Sequence, residues 1–155
     1  MSILHEILLR HTASNQETAF KMQTVFAEFY ASRKPNTDAI ANMALENFTE
    51  MMAKTADRRF LLEKEIEIEL TKMAPTIYIS RYALITHSLL PYDLCRQVGI
   101  IQQDILSALS ANLDSVLDLD REKALGLLTS QLEPFLARYN ITHDSCHYTS
   151  KYYLR

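Results

Sequence analysis

The stretch PYDLCRQVGIIQQDILSALSAN, residues 91 to 112, carries the pattern of a long amphipathic helix. Its apolar residues recur every three or four positions and would share one helix face: Leu94, Val98, Ile101, Ile105 and Leu109. Pro91 suits the start of a helix, because the N–H that proline lacks has no partner inside the first turn. We therefore predict a helix over 92–112.

Similar patterns on both sides of this stretch predict further helices. They cover 2–11, 15–32, a segment from Asn36 or Thr37 to about 55–57, 57–74 and about 120–139. Pro35 separates the second helix from the third in this prediction, because proline disfavours helical geometry in the residue before it. The run EIEIEL alternates like a strand, but its apolar and basic flanks favour a helix.

The segment TIYISRYALITHS, residues 76–88, has a different composition. It follows Pro75, is rich in Ile, Tyr and Thr, and shows no recognised helix N-cap, so we predict an extended segment. The polar, aromatic residues 140–155 predict a flexible tail. The expected fold is therefore an all-α bundle of five to six helices in one domain, residues 1–139, with one short extended segment near 76–88.

Composition excludes several classes of function. The 16 basic and 19 acidic residues give a net charge of -3 without a basic stripe, so a nucleic-acid partner is not expected. No apolar run reaches the roughly 20 residues of a membrane helix, and we expect a cytoplasmic protein. The two isolated glycines, Gly99 and Gly126, cannot form the glycine-rich loop of a phosphate or dinucleotide site.

Cysteine and histidine placement predicts neither a disulfide framework nor a metal site. Cys95 and Cys146 are far apart, and reduced thiols are the simpler reading. His143, Cys146 and His147 in HDSCH have spacings compatible with zinc, but they offer at most three ligands in a short tail cluster. No activated nucleophile is recognisable, so no catalytic or metal-binding residue is assigned.

Asn47 is the most unusual position of the helix IANMALENFTEMM, residues 40–52. It falls within an apolar stripe predicted from the spacing of Ile40, Met43, Ala44, Phe48 and Met51. A buried amide without a partner costs roughly 1–3 kcal/mol. Asn47 is therefore either a core amide bonded to a backbone carbonyl or a group held for a ligand.

Three runs carry a family resemblance: FAEFYASRKPNTDAIANMALENFTEM, ADRRFLLEKEIE and SRYALITHSLLPY, preceded by LHEIL. Across residues 4 to 105 the chain resembles the C-terminal third of the kynurenine 3-monooxygenase family. The resemblance implies that Asn47, Met51 and Tyr82 line a substrate pocket. An amide and a phenol can hydrogen-bond an amino acid while a thioether packs against its ring.

That family hydroxylates kynurenine with FAD, NADPH and dioxygen, and its FAD motifs have no counterpart in this chain. The resemblance thus implies a helical substrate-cap domain that holds no cofactor, is not an enzyme by itself and acts with an FAD-binding half in cis or in trans. The family's substrate-binding arginine belongs to that other half. We therefore expect the chain alone to bind kynurenine weakly or not at all.

Two other readings stay open. The chain could be a free-standing binding or interaction module, or a homo-oligomer formed through the exposed face of the cap. It could also be a folded remnant without a role. Tyr82 and Met51, taken without the resemblance, read as an ordinary core tyrosine and an apolar filler.

Overall fold

The computed structural model describes residues 3–13, 22–53 and 57–142. These ranges contain helices and turns and no β-strand, which confirms the all-α class. The helices are α1 (Ile3–Ala13), α2 (Met22–Ala53), α3 (Arg58–Met73), α4 (Arg81–His87), α5 (Tyr92–Ser110), α6 (Arg121–Leu127) and α7 (Glu133–Arg138). A 3₁₀ turn, Val116–Asp118, precedes α6, and a π-helical turn, Leu128–Leu132, joins α6 to α7. None of these helices is both long and apolar enough to cross a membrane.

Helix α5 lies at the centre of the bundle. It packs against α2, α3, α4, α6 and the π-helical turn. The main core is built from its buried residues and from those of α3 and the α6–α7 segment. Val98 and Ile105 of α5 and Ile66 and Leu70 of α3 have no exposed surface. The amphipathic pattern of residues 92–112 thus does mark the helix that organises the fold.

Helices α1 and α2 pack against each other in a small apolar contact that is separate from this core. Ile7 of α1 and Val25 of α2 are buried, but neither belongs to the main core cluster. Charged contacts add to this packing, since Glu28 Oε1 lies 2.6 Å from Arg10 Nη2 and Glu28 Oε2 lies 2.9 Å from His11 Nε2. Helices α1 and α2 contact the rest of the molecule chiefly where α2 packs against α5.

The predicted helix break at Pro35 is wrong, because α2 runs through it as one helix of 32 residues. Proline removes one backbone donor and crowds the carbonyl four residues earlier. Pro35 is exposed here, so that carbonyl can bond to water. The Thr37 hydroxyl donates to the Arg33 and Lys34 carbonyls, each at 3.0 Å. Helix α2 binds α1 through Glu28 before Pro35 and α5 through Glu46 after it, and these contacts hold both halves in one helix.

The predicted extended segment at 76–88 is also wrong over most of its length. Thr76 and Ile77 form part of a turn, and residues 81–87 form α4. Ser80 is the N-cap that the sequence analysis missed, and its Oγ accepts from the Ala83 N–H at 3.2 Å. Helix α4 is further stabilised by Leu84, which is fully buried. Capping and burial together outweigh the strand preference of the Ile and Tyr residues.

The last helix is confirmed, and its π-helical turn has a clear cause. Ala124, Leu128, Leu132 and Leu136 are all buried, although each is four positions from the next. In a regular α-helix this spacing would rotate successive residues by about 40° away from the core. The wider π-helical turn corrects the drift. Pro134 follows directly, where the loss of a backbone donor is tolerated.

The predicted tail lies outside the described residues from position 143 onward.

Candidate functional site: a charged cleft between α2, α4 and α5

A cleft of about 620 Å³ opens between the C-terminal half of α2, the start of α4 and the middle of α5. Its walls combine apolar, amide and charged groups: Asn42, Leu45, Glu46, Thr49, Glu50, Arg81, Arg96, Gly99, Ile100 and Gln103. Its lining includes two carboxylates, Glu46 and Glu50, and two guanidinium groups, Arg81 and Arg96. The cleft is therefore close to neutral as a whole but strongly polarised locally.

Glu46 is the centre of this charge arrangement. Its Oε2 accepts from Arg81 Nη1 of α4 at 3.1 Å, and its Oε1 accepts from Arg96 Nη2 of α5 at 2.9 Å. All three side chains are about one-third exposed. Charge-assisted hydrogen bonds of this kind are stronger than neutral ones. One carboxylate thus links three helices.

The Arg81 side chain packs directly over Gly99. A Cβ atom at position 99 would overlap Arg81 Cδ and lie 3.2 Å from Arg81 Cγ. The aliphatic part of Arg81 therefore crosses α5 where α5 has no side chain. Glycine costs about 1 kcal/mol relative to alanine inside a helix, and at this position it allows the close approach.

The start of α4 has a second attachment to α5. Buried Gln102 donates from Nε2 to the Ile79 carbonyl oxygen at 2.6 Å. This bond satisfies two polar groups that would otherwise be buried without partners. The chain is thus attached to α5 two residues before α4 begins.

Asn47 and Met51, two of the predicted substrate residues, lie together on α2. Asn47 Nδ2 is 3.9 Å from Met51 Sδ, and both side chains are exposed, Met51 to 66%. The predicted burial of Asn47 in an apolar stripe is therefore wrong. Helix α2 instead turns Ala39 and Met43 inward, with Glu46 and Glu50 half-buried. Of these two carboxylates, Glu46 binds Arg81 and Arg96.

Tyr82, the third predicted residue, is 71% exposed near the start of α4. Its ring meets the His87 ring edge-on, with centroids 6.4 Å apart. None of the three predicted residues lines the cleft. Two of them directly follow residues that do, since Asn47 follows Glu46 and Tyr82 follows Arg81.

Glu46, Arg81 and Arg96 were not predicted from the sequence. Nothing in their local sequence distinguishes them from ordinary surface charges. Gly99 did offer a signal, because an isolated glycine within an otherwise regular amphipathic helix is unfavourable and often marks a close approach.

The described residues contain no group of three or more His, Cys, Asp or Glu side chains placed to hold a metal ion. Cys95 is buried in α5. The HDSCH cluster with His143, Cys146 and His147 lies outside the part of the chain that the structure describes.

An exposed apolar face follows the outer side of α2 beside the cleft. We call it the α2 apolar face, and its members are Leu45, Phe48, Met51 and Met52. They are 66%, 60%, 66% and 73% exposed, respectively. Four large apolar side chains exposed on about two helical turns are more than scattered surface residues.

Comparison with known proteins gives several relatives of one kind. The kynurenine 3-monooxygenase of Myxococcus xanthus (strain DK1622) is 42% identical over 117 residues, which are 76% of this chain and 25% of that protein. For the kynurenine 3-monooxygenase of Dictyostelium discoideum the identity is 40% over 108 residues, or 70% and 23% of the two chains. The enzyme of Stenotrophomonas maltophilia (strain K279a) is 39% identical over 99 residues, or 64% and 22%.

No family model matches the chain. The chain spans about a quarter of the length of the curated relatives it matches. These relationships confirm the resemblance seen in the sequence: the chain is a relative of kynurenine 3-monooxygenases and corresponds to one part of them.

Proposed function

We propose that this chain is the C-terminal helical substrate-cap domain of a kynurenine 3-monooxygenase-like flavoprotein. In this role it closes over a kynurenine-like substrate and has no hydroxylase activity alone. The observation that carries the proposal is the exposure of Asn47, Met51 and Tyr82. The residues that the resemblance assigns to the substrate face solvent and are not used in this domain's own core.

The chemistry of these three side chains suits an aromatic amino acid. The Asn47 amide and the Tyr82 hydroxyl can each donate and accept hydrogen bonds, and the Met51 thioether can pack against a ring. Small-molecule sites are concave and enclose most of the ligand surface. Side chains this exposed need a second wall, which makes weak binding by the chain alone the expected behaviour.

The α2 apolar face supports a specific occupant for that second wall. Its exposure would be a liability in a protein that works alone. The relatives are about four times as long as the segment that they share with this chain. We assign the face to the FAD-binding part of such a flavoprotein, in cis or in trans.

This assignment gives the two parts of the flavoprotein different tasks. FAD and NADPH would be held by the partner part and would supply the redox chemistry with dioxygen. This chain would orient the substrate through Asn47 and Tyr82 and would exclude water with Met51 and the rest of the α2 apolar face. Its two isolated glycines agree with that division, since they cannot build a dinucleotide loop.

Reconstitution tests the proposal. The Myxococcus xanthus relative, with the matching quarter removed, is purified and accepted for the assay only if it retains flavin absorbance. Mixing it with this chain should give kynurenine-dependent NADPH oxidation and a hydroxylated product, and neither protein alone should do so. No gain in product over the truncated relative alone would contradict the proposal.

Variants of the chain sharpen this test. Asn47→Ala and Tyr82→Phe should each lower kcat/KM on the order of tenfold or more, as expected for a lost hydrogen bond to a charged substrate group. Gln23→Ala, an exposed change on the same helix, should have no effect. If the chain instead associates only with itself through the α2 apolar face, sedimentation would favour the alternative of a free-standing interaction module.

A further inference from the structure

We propose that Glu46, Arg81 and Arg96 act as a clamp that fixes the position of Tyr82 relative to Asn47. The three residues are positioning residues and need not touch a ligand. The clamp itself is independent of the proposed function, and only its effect on substrate rests on that function.

Two members of the clamp are direct sequence neighbours of predicted substrate residues. Glu46 directly precedes Asn47 on α2, and Arg81 directly precedes Tyr82 on α4. The side-chain hydrogen bond of 3.1 Å between Glu46 and Arg81 therefore links α2 to α4 at the positions next to the predicted substrate residues. Arg96 attaches the same carboxylate to α5 at 2.9 Å.

Besides the clamp, helix α4 is anchored by apolar packing, since Leu84 belongs to the main core and Ala83 and Ile85 pack against it. The helix has only seven residues, and Leu84 is the single one that is buried. Tyr82 itself is held only weakly, because its ring is exposed and meets His87 edge-on at the end of the same helix. The placement of Tyr82 thus follows from the packing of Ala83, Leu84 and Ile85, from the Gln102 bond to Ile79 and from the Arg81 clamp.

Electrostatics explains why this carboxylate matters more than an ordinary surface charge. An isolated exposed ion pair contributes little to stability. Here each oxygen of one carboxylate binds a different arginine, and both guanidinium groups lie in the same cleft. Removing the carboxylate leaves two cations close together, with Glu50 as the remaining acid in the cleft wall.

The Arg81 side chain occupies space that is open only because residue 99 is glycine. Its stem passes over Gly99 at a distance that no side chain would permit. Gly99→Ala should therefore displace Arg81 while leaving Glu46 and Arg96 chemically unchanged. This variant tests the clamp independently of charge.

Distance measurements on the full chain test the proposal directly. Nitroxide labels are placed at exposed positions of α2 and α4 by Ala44→Cys and Thr86→Cys, in a chain that also carries Cys146→Ser. Double electron–electron resonance should give a narrow distance distribution for the parent. Glu46→Ala and Gly99→Ala should each broaden or shift it.

Two matched controls separate the clamp from general effects. Glu69→Ala removes another carboxylate that lies between two cations, Lys72 at 2.7 Å and Arg121 at 3.8 Å, and should leave the distance unchanged. Gly126→Ala adds a methyl group that would meet no atom within 4 Å, and should also leave it unchanged. Circular dichroism identifies any variant that has lost its helices, and Gly99→Ala decides the matter if Glu46→Ala does not fold.

An unchanged distance distribution in folded Glu46→Ala and Gly99→Ala would overturn the clamp. In the reconstituted enzyme, Glu46→Ala should lower kcat/KM about tenfold, with little further loss when Tyr82→Phe is added, since coupled sites are not additive. Fully additive losses would refute positioning through Tyr82. Failure of reconstitution would contradict the proposed function while leaving the distance result to decide the clamp.

Discussion

At the scale of single residues, the buried Tyr78 hydroxyl affects the free energy of unfolding. Tyr78 is 2% exposed, and among the described residues its hydroxyl has no hydrogen-bond partner. Burial raises the pKa of the Tyr78 hydroxyl, and the negative charge of Glu67 raises it further. The phenol therefore stays neutral at any ordinary pH and contributes mainly through its ring.

Tyr78→Phe should accordingly leave the free energy of unfolding unchanged or raise it by about 1 kcal/mol, because an unsatisfied buried hydroxyl opposes folding. Urea denaturation measures the difference, with Tyr82→Phe as the control at an exposed tyrosine. A loss of more than about 1 kcal/mol would mean that the Tyr78 hydroxyl does have a partner, such as a buried water.

At the scale of elements, one carboxylate, Glu28, adds charged contacts to the apolar packing of α1 on α2. The hydrogen bond with His11 is the main cause that lowers the pKa of Glu28 below its ordinary value of 4.5, and Arg10 contributes to the same shift. A carboxyl with a lowered pKa in the folded state stabilises that state above its ordinary pKa. This contribution is lost as the pH falls through the lowered value.

Acidification from about pH 7 to about pH 3 should therefore weaken the docking of α1 on α2. The expected readout is a change in the α1 amide shifts in an NMR titration, with a midpoint below pH 4.5. High salt should reduce the effect, because the pair is partly exposed and screened. Glu28→Gln should lack this transition, and a variant that kept it would point to a different acid.

At the scale of the whole molecule, the distribution of apolar burial suggests two regions of different stability. The main core cluster runs from Leu62 of α3 to Ile141 after α7 and includes no residue of α1 or α2. Packing of α2 on α5 is the principal link between the two regions. Local opening takes the least free energy where buried contacts are few.

Native-state hydrogen exchange should therefore find the slowest amides in α3 and α5 and faster exchange in α1 and the first half of α2. Val25→Ala should speed exchange in α1 and α2 only. Ile105→Ala should lower the global free energy of unfolding by about 2–5 kcal/mol, as expected for a large-to-small change in a core. Equal protection throughout the chain would argue for one cooperative unit.

Local sequence determined much of this fold. Periodic apolar residues predicted the helices near 58–73, 92–110 and 121–138, because this periodicity is a local property of the chain. The resemblance over residues 4 to 105 likewise came from the order of short runs. Asn47, Met51 and Tyr82 remain predictions that rest on that resemblance.

Tertiary structure decided the rest. Helix α2 continues through Pro35 because its packing extends on both sides, and α4 forms because Leu84 is buried against the bundle. Glu46 and Arg81 are 35 positions apart, and Glu46 and Arg96 are 50 apart. A local pattern contains no information on such pairs, so the clamp and the outward direction of Asn47 could be found only in the folded molecule.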